Sequence, residues 1–137
     1  MAGSIRSSSS EPRFVAPSGF LAQVPFNAAV QVGDLILIAG QIGIDDAGVV
    51  VAGGVGEQTR ICLQNARKIL EALGASLADV VQTRIYITSF SEYADFNRVY
   101  QEFFSAPFPV RSTIGVAELA LNAQIEIEFI AAKRGNT

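Results

Sequence analysis

The chain has 137 residues, 50% of them hydrophobic, with 10 basic against 13 acidic side chains and a formal net charge of -3. That length sustains one core and one domain, and the acidic balance argues against a surface built to neutralise nucleic-acid phosphates. There is no histidine and a single cysteine, Cys62, which removes Ser-His-Asp, Cys-His and His-metal mechanisms together with any internal disulfide.

Residues 1–12 are Ser-rich and aperiodic, predicting a disordered arm ahead of one domain over 13–137. No basic start leads into an apolar run, so a cytoplasmic location is expected. The longest apolar runs, such as Leu35 to Ala39, fall far short of the ~20 residues of a membrane helix. Ala28 to Val32 and Leu35 to Ala39 read as paired strands across a Gly33-Asp34 turn. A second turn, Asp45 to Gly48, precedes Val49 to Val51, read as a third strand, and Gly53-Gly54 breaks the pattern. Gly53-Gly54-Val55-Gly56 lacks the Gly-Lys-Ser/Thr ending of a phosphate loop and reads as a turn.

Cys62, Ala66, Ile69, Leu70 and Leu73 recur at intervals of three and four, predicting a helix with one buried face and a stop at Gly74. Cys62 on that face reads as a core residue. Val80 to Thr88 has strand composition, and Ser89 with Glu92 resembles a capping box for a second helix. That helix carries Tyr93, Phe96, Tyr100, Phe103 and Phe104 on one stripe and ends at Pro107 and Pro109. Arg111 to Ala117 and Gln124 to Ala132 read as two closing strands, a hairpin joined by Glu118 to Ala123. The order predicts an α+β fold, a mixed six-stranded sheet with two helices on one face. The other face then forms a large apolar patch, the mark of a homo-oligomer interface.

Alternation places Arg111, Thr113 and Gly115 on one face of their strand. A fixed guanidinium beside a small residue suits a carboxylate ligand, which its planar fork matches; the plain alternative is a strand-edge arginine paired with a surface acid. In Ile125-Glu126-Ile127-Glu128 the isoleucines are buried and both glutamates share the other face, on the order of 7 Å apart. They position a water, or form a solvated acidic face. Asn97 sits inside the aromatic stripe, where its amide needs partners: a ligand or a loop.

Val32-Gly33-Asp34, Gly40-Gln41-Ile42-Gly43, Gln58-Thr59, Asn65, Tyr100-Gln101-Glu102-Phe103-Phe104, Pro109-Val110-Arg111-Ser112 and Ile125-Glu126-Ile127-Glu128 follow one another in order. From about Pro25 to the C-terminus this series resembles the signature of the reactive-intermediate deaminase family (Rid, or YjgF, also called endoribonuclease L-PSP). The resemblance implies a chorismate-mutase-like sandwich assembled as a homotrimer, with ligand sites between subunits. It implies hydrolysis of enamines or imines such as 2-aminoacrylate to a 2-keto acid and ammonia, without cofactor or metal.

By the same resemblance Arg111 grips the substrate carboxylate and Glu126 serves the hydrolytic water. Phe26, Ala39, Gly40, Asn97 and Thr113 line the pocket. Phe26 stands where a tyrosine is typical, Ala39 where a serine is typical and Thr113 where a cysteine is typical, so two pocket hydroxyls are lost. Such losses alter the accepted side chain more than carboxylate binding. The competing expectations are a relative specialised for another imine, of the aminomuconate type, and a non-catalytic trimer that binds keto acids. Ribonuclease action, which needs a basic path for the strand, ranks last.

Overall fold

The computed structural model describes residues 11–17 and 19–134, so the expected arm over 1–12 falls, apart from its last two residues, outside them. Six strands form one sheet: β1 (Arg13–Val15), β2 (Ala29–Val32), β3 (Leu35–Ile42), β4 (Val80–Ile87), β5 (Val110–Gly115) and β6 (Ile125–Ala132). Two helices, α1 (Gly54–Ala72) and α2 (Tyr93–Tyr100), interrupt them. The strand order is β1-β2-β3-β6-β4-β5, antiparallel throughout except for the parallel pair β4 and β5. A parallel pair requires a crossover, and α2 lies within it.

The period of each segment decides where the core sits. In β6, Ile125, Ile127, Phe129 and Ala131 are buried while Glu126, Glu128 and Ile130 alternate with them. In α1, Cys62, Leu63, Ala66 and Leu70 face the same core. Phe96 and Tyr100 of α2 join it, so both helices cover one face of the sheet. The helix ends as expected at Gly74, which takes φ 76 while Gly74 N–H and Ala75 N–H bond the carbonyls of Glu71 and Leu70, a Schellman closure that uses glycine's freedom at positive φ. Gly56 allows the two helices to approach, since a Cβ there would lie 2.9 Å from the Asp95 carboxylate.

Five expectations from the sequence are corrected. Val49 to Val51 is not a strand. Asp45 closes a turn by accepting from Ala47 and Val49 N–H, and only Val50 bridges Ile44 before Gly53 turns the chain away. The sixth strand is instead β1, three residues long. Gly54 to Gly56 open helix α1 rather than form a free turn. The closing strands do not make a hairpin: β6, with one fully buried face, inserts between β3 and β4 and leaves β5 at the edge. Finally, α2 stops at Tyr100, and Phe103 and Phe104 pack from a following turn, well before the prolines. Ser89 caps only a 3-10 turn, Phe90–Glu92, whereas a complete capping box forms between Ser76 and Asp79.

The face away from the helices is uncovered. Phe14, Val32, Leu35 and Leu37 lie on one half of it, each more than 40% exposed. Ile114 and Val110 lie on the other half, with Arg84, Tyr86, Glu126 and Glu128 between. Among the described residues no helix is long and apolar enough to cross a membrane.

Candidate active site

Arg111 follows Pro109-Val110 at the start of β5, opposite Thr83 of β4. Thr83 is buried on the helix-covered face, so the Arg111 side chain rises on that face, toward α2. Its guanidinium lies 5.7, 5.3 and 4.9 Å from the ring centroids of Tyr93, Phe96 and Tyr100. Each such contact is worth about 0.5–2 kcal/mol, more as water is excluded. Arg111 Nη2 donates to the Tyr93 hydroxyl at 2.7 Å.

Among the described residues no carboxylate lies within ion-pair distance of Arg111, although Arg60, Arg84, Arg98 and Arg134 each have one. The plain alternative, a strand-edge arginine satisfied by a surface acid, is therefore overturned.

Thr113 and Asn97 belong to the same cluster. Asn97, one helical turn further on, together with the charge and N–H of Arg111 and the nearby Thr113, holds the Tyr93 phenol below its ordinary value, against the opposing effect of burial. Tyr100 is fixed through Thr83, whose hydroxyl lies 2.9 Å from the phenol oxygen.

Glu126 lies elsewhere. Burial first, and the charge of Glu128 second, raise its carboxyl above the ordinary value of 4.5. Glu128 is engaged by the Tyr86 hydroxyl at 2.9 Å and by Arg84 at 3.7 Å, so the two glutamates are not equivalent: Glu126 has no such partner among the described residues. Gly40 stands in the bulge of β3 directly against it, where a Cβ would collide with the Glu126 carboxylate. Ala39 N–H bonds Ala28 O at 2.9 Å. Ala39 lines an apolar groove of about 290 Å³ with Phe14, Asn27, Val30 and Leu37. Phe26, 52% exposed, stands two residues before Ala28.

The predicted site residues thus form two groups. Arg111, Asn97 and Thr113 meet on the helix-covered face, whereas Glu126 and Gly40 meet on the open face, with Ala39 and Phe26 at the same end of β3. One chain does not bring Arg111 and Glu126 together. Tyr93, Phe96 and Tyr100, predicted from the sequence only to share one helical stripe, supply the rings around Arg111. Cys62 is core: it is fully buried, its thiol donates to Gln41 O, and burial pushes its pKa up. Among the described residues no group of metal-ligating side chains converges.

A mixed six-stranded sheet with two helices on one face defines a small α+β protein. The chain belongs to the Rid (YjgF) family: the family model, described as Endoribonuclease L-PSP, matches residues 17–133. A 2-iminobutanoate/2-iminopropanoate deaminase of Dermatophagoides farinae is 42% identical over 77% of this chain and 84% of its own. A protein of the same name from Salmonella typhimurium is 36% identical over 80% and 88%. The crystal structure of the E. coli YjgF product superposes with a TM-score of 0.82 at 35% identity, over 89% of this chain and 99% of that one. E. coli TdcF, crystallised with bound serine, gives 0.77 at 32% identity, over 89% and 94%.

Proposed function

We propose that the protein is an enamine and imine deaminase, converting 2-aminoacrylate-like intermediates to a 2-keto acid and ammonia. The observation that carries this reading is the Arg111 guanidinium, half-buried against three aromatic rings and left without an acidic partner. The deaminase relatives support it at 36 to 42% identity.

In this mechanism Arg111 binds the substrate carboxylate through its planar fork and fixes the reacting carbon. The enamine tautomerises by taking a proton at its terminal carbon and losing one from nitrogen, which gives the imine. Glu126 accepts a hydrogen bond from water, and the water oxygen adds to the imine carbon while the nitrogen is protonated. The resulting carbinolamine expels ammonia as its hydroxyl proton leaves, and the keto acid departs. The imine carbon is already electrophilic, so the steps draw on no cofactor or metal. Asn97 and Thr113 border the carboxylate, and Gly40, Ala39 and Phe26 border the water.

The site is completed between subunits of a homotrimer, with the Arg111 group of one chain facing the Glu126 group of its neighbour. The separation of those groups on opposite sheet faces and the uncovered apolar face support this arrangement. We place the protein in the cytoplasm and expect neither nucleic acid nor membrane as partner.

The test is ammonia and keto-acid release from 2-aminoacrylate made in situ by a serine dehydratase. Wild type accelerates release, and Arg111→Ala loses about 10- to 100-fold, the scale of a charge-assisted bond pair. Absence of acceleration by wild type refutes the deaminase reading. Binding of an amino or keto acid without turnover is the second reading, favoured by the serine bound to E. coli TdcF. Titration with 2-oxobutanoate in the absence of turnover would establish it.

A further inference from the structure

The face of an aromatic ring attracts a guanidinium without setting its rotation in its own plane. A hydrogen bond does set it, since N–H donors weaken steeply away from linearity. Arg111 has both restraints: three rings, and one hydrogen bond to Tyr93 at 2.7 Å. Arginine has no acceptor, so the phenol oxygen receives that bond. Tyr93 thereby occupies one N–H of Nη2 and leaves another edge of the fork for a ligand. Its ring is held by Phe90 and Phe96, with centroids 5.7 and 6.3 Å away. The phenol is therefore a fixed reference and not a swinging side chain.

We propose that Tyr93 is a positioning and specificity-determining residue: its hydroxyl turns the Arg111 guanidinium so that a two-donor edge meets a planar carboxylate. The inference rests on Arg111 being the carboxylate clamp. A planar anion with two oxygens benefits from a fixed edge, because both of its bonds require one orientation. A tetrahedral anion such as a sulfonate presents three oxygens in rotation and is satisfied by the charge at many angles. Tyr93 therefore confers selectivity for carboxylates over tetrahedral anions, besides affinity.

The experiment is calorimetric titration of wild type and Tyr93→Phe with 2-oxobutanoate and with propanesulfonate, alongside steady-state kinetics on the in situ imine. The Phe variant keeps the ring stack, and an unchanged thermal midpoint verifies this. The expected result is a 2-oxobutanoate Kd raised about tenfold, the loss of one hydrogen bond to a charged group, with propanesulfonate unchanged. KM rises by the same factor and kcat holds. Equal weakening of both anions, or no weakening of either, overturns the role of Tyr93 while leaving Arg111 as clamp. If wild type and Arg111→Ala bind 2-oxobutanoate equally, the clamp itself fails and this inference falls with it.

Discussion

Mixing two impaired variants tests whether Arg111 and Glu126 serve one site from different chains. Register sets their separation within one chain. Arg111 of β5 is opposite Thr83 of β4, and Glu126 of β6 is opposite Tyr86, three residues further along. Two strand spacings give about 10 Å across the sheet and three residues about 10 Å along it, so the Cα atoms are roughly 14 Å apart. Their side chains then leave opposite faces and diverge. A near-attack geometry needs reacting atoms about 3–3.5 Å apart, which no three- or four-carbon acid can bridge through a sheet. If each site takes its arginine from one subunit and its glutamate from the next, Arg111→Ala and Glu126→Gln subunits exchanged at equal ratio rebuild intact sites. Each contribution is intact in about half of the sites, so about one quarter of wild-type activity returns, whatever the number of subunits in a closed ring. Deaminase activity is measured before and after exchange, with exchange followed by native mass spectrometry on differently tagged chains. Activity that stays at the sum of the two parents after complete exchange refutes the shared site.

Four further outcomes follow from the geometry. Because burial and then Glu128 raise the Glu126 carboxyl, the acid limb of kcat/KM lies above pH 4.5 and moves down in Glu128→Gln; a limb unmoved by that change contradicts the coupling. The folded state holds this proton more tightly than the unfolded one, so stability falls as pH rises through the window between the ordinary and raised values. Glu126→Gln is then stabilising above that window, by no more than about 1 kcal/mol because the group is half-exposed, read as thermal midpoints at pH 5 and pH 8. Gly40→Ala pushes the Glu126 carboxylate aside, and since that group ends a flexible chain, kcat falls about tenfold or more while the midpoint and the 2-oxobutanoate Kd hold; a lost fold would show the bulge itself to be the constraint. Phe96→Ala removes a fully buried ring under Arg111, costing about 3–5 kcal/mol in denaturant unfolding, and a cost under 1 kcal/mol would mean that the core collapses around the gap.

Much of this fold was legible because burial imposes periods. The stripe through Cys62, Ala66 and Leu70 and the alternation of Ile125 and Ile127 marked the buried faces correctly. The errors arose where chain neighbours are not spatial neighbours: β5 and β6 follow each other, yet β6 pairs with β3 and β4. Phe103 and Phe104 extend the aromatic stripe past Tyr100 and made α2 look longer, because a turn can bury aromatics as well as a helix can. In the site, alternation put Arg111 and Thr113 together, but not Tyr93 with them. Its signal was present: Tyr93 and Asn97 are four residues apart on one helix and so share a face, and a hydroxyl within an aromatic stripe needs a partner.

The crossover that carries α2 gives the molecule a modular character. Tyr93, Asn97, Arg111 and Thr113 all belong to one unbroken stretch, Tyr93–Thr113, while Glu126, Gly40, Ala39 and Phe26 come from segments before and after it. On the proposed roles, anion choice and water handling are written in separable passages of the chain. If those roles hold, transplanting Tyr93–Thr113 into a relative of the same fold transfers the grip on the acid and leaves the recipient's own hydrolytic half in charge, so the two properties can diversify one at a time.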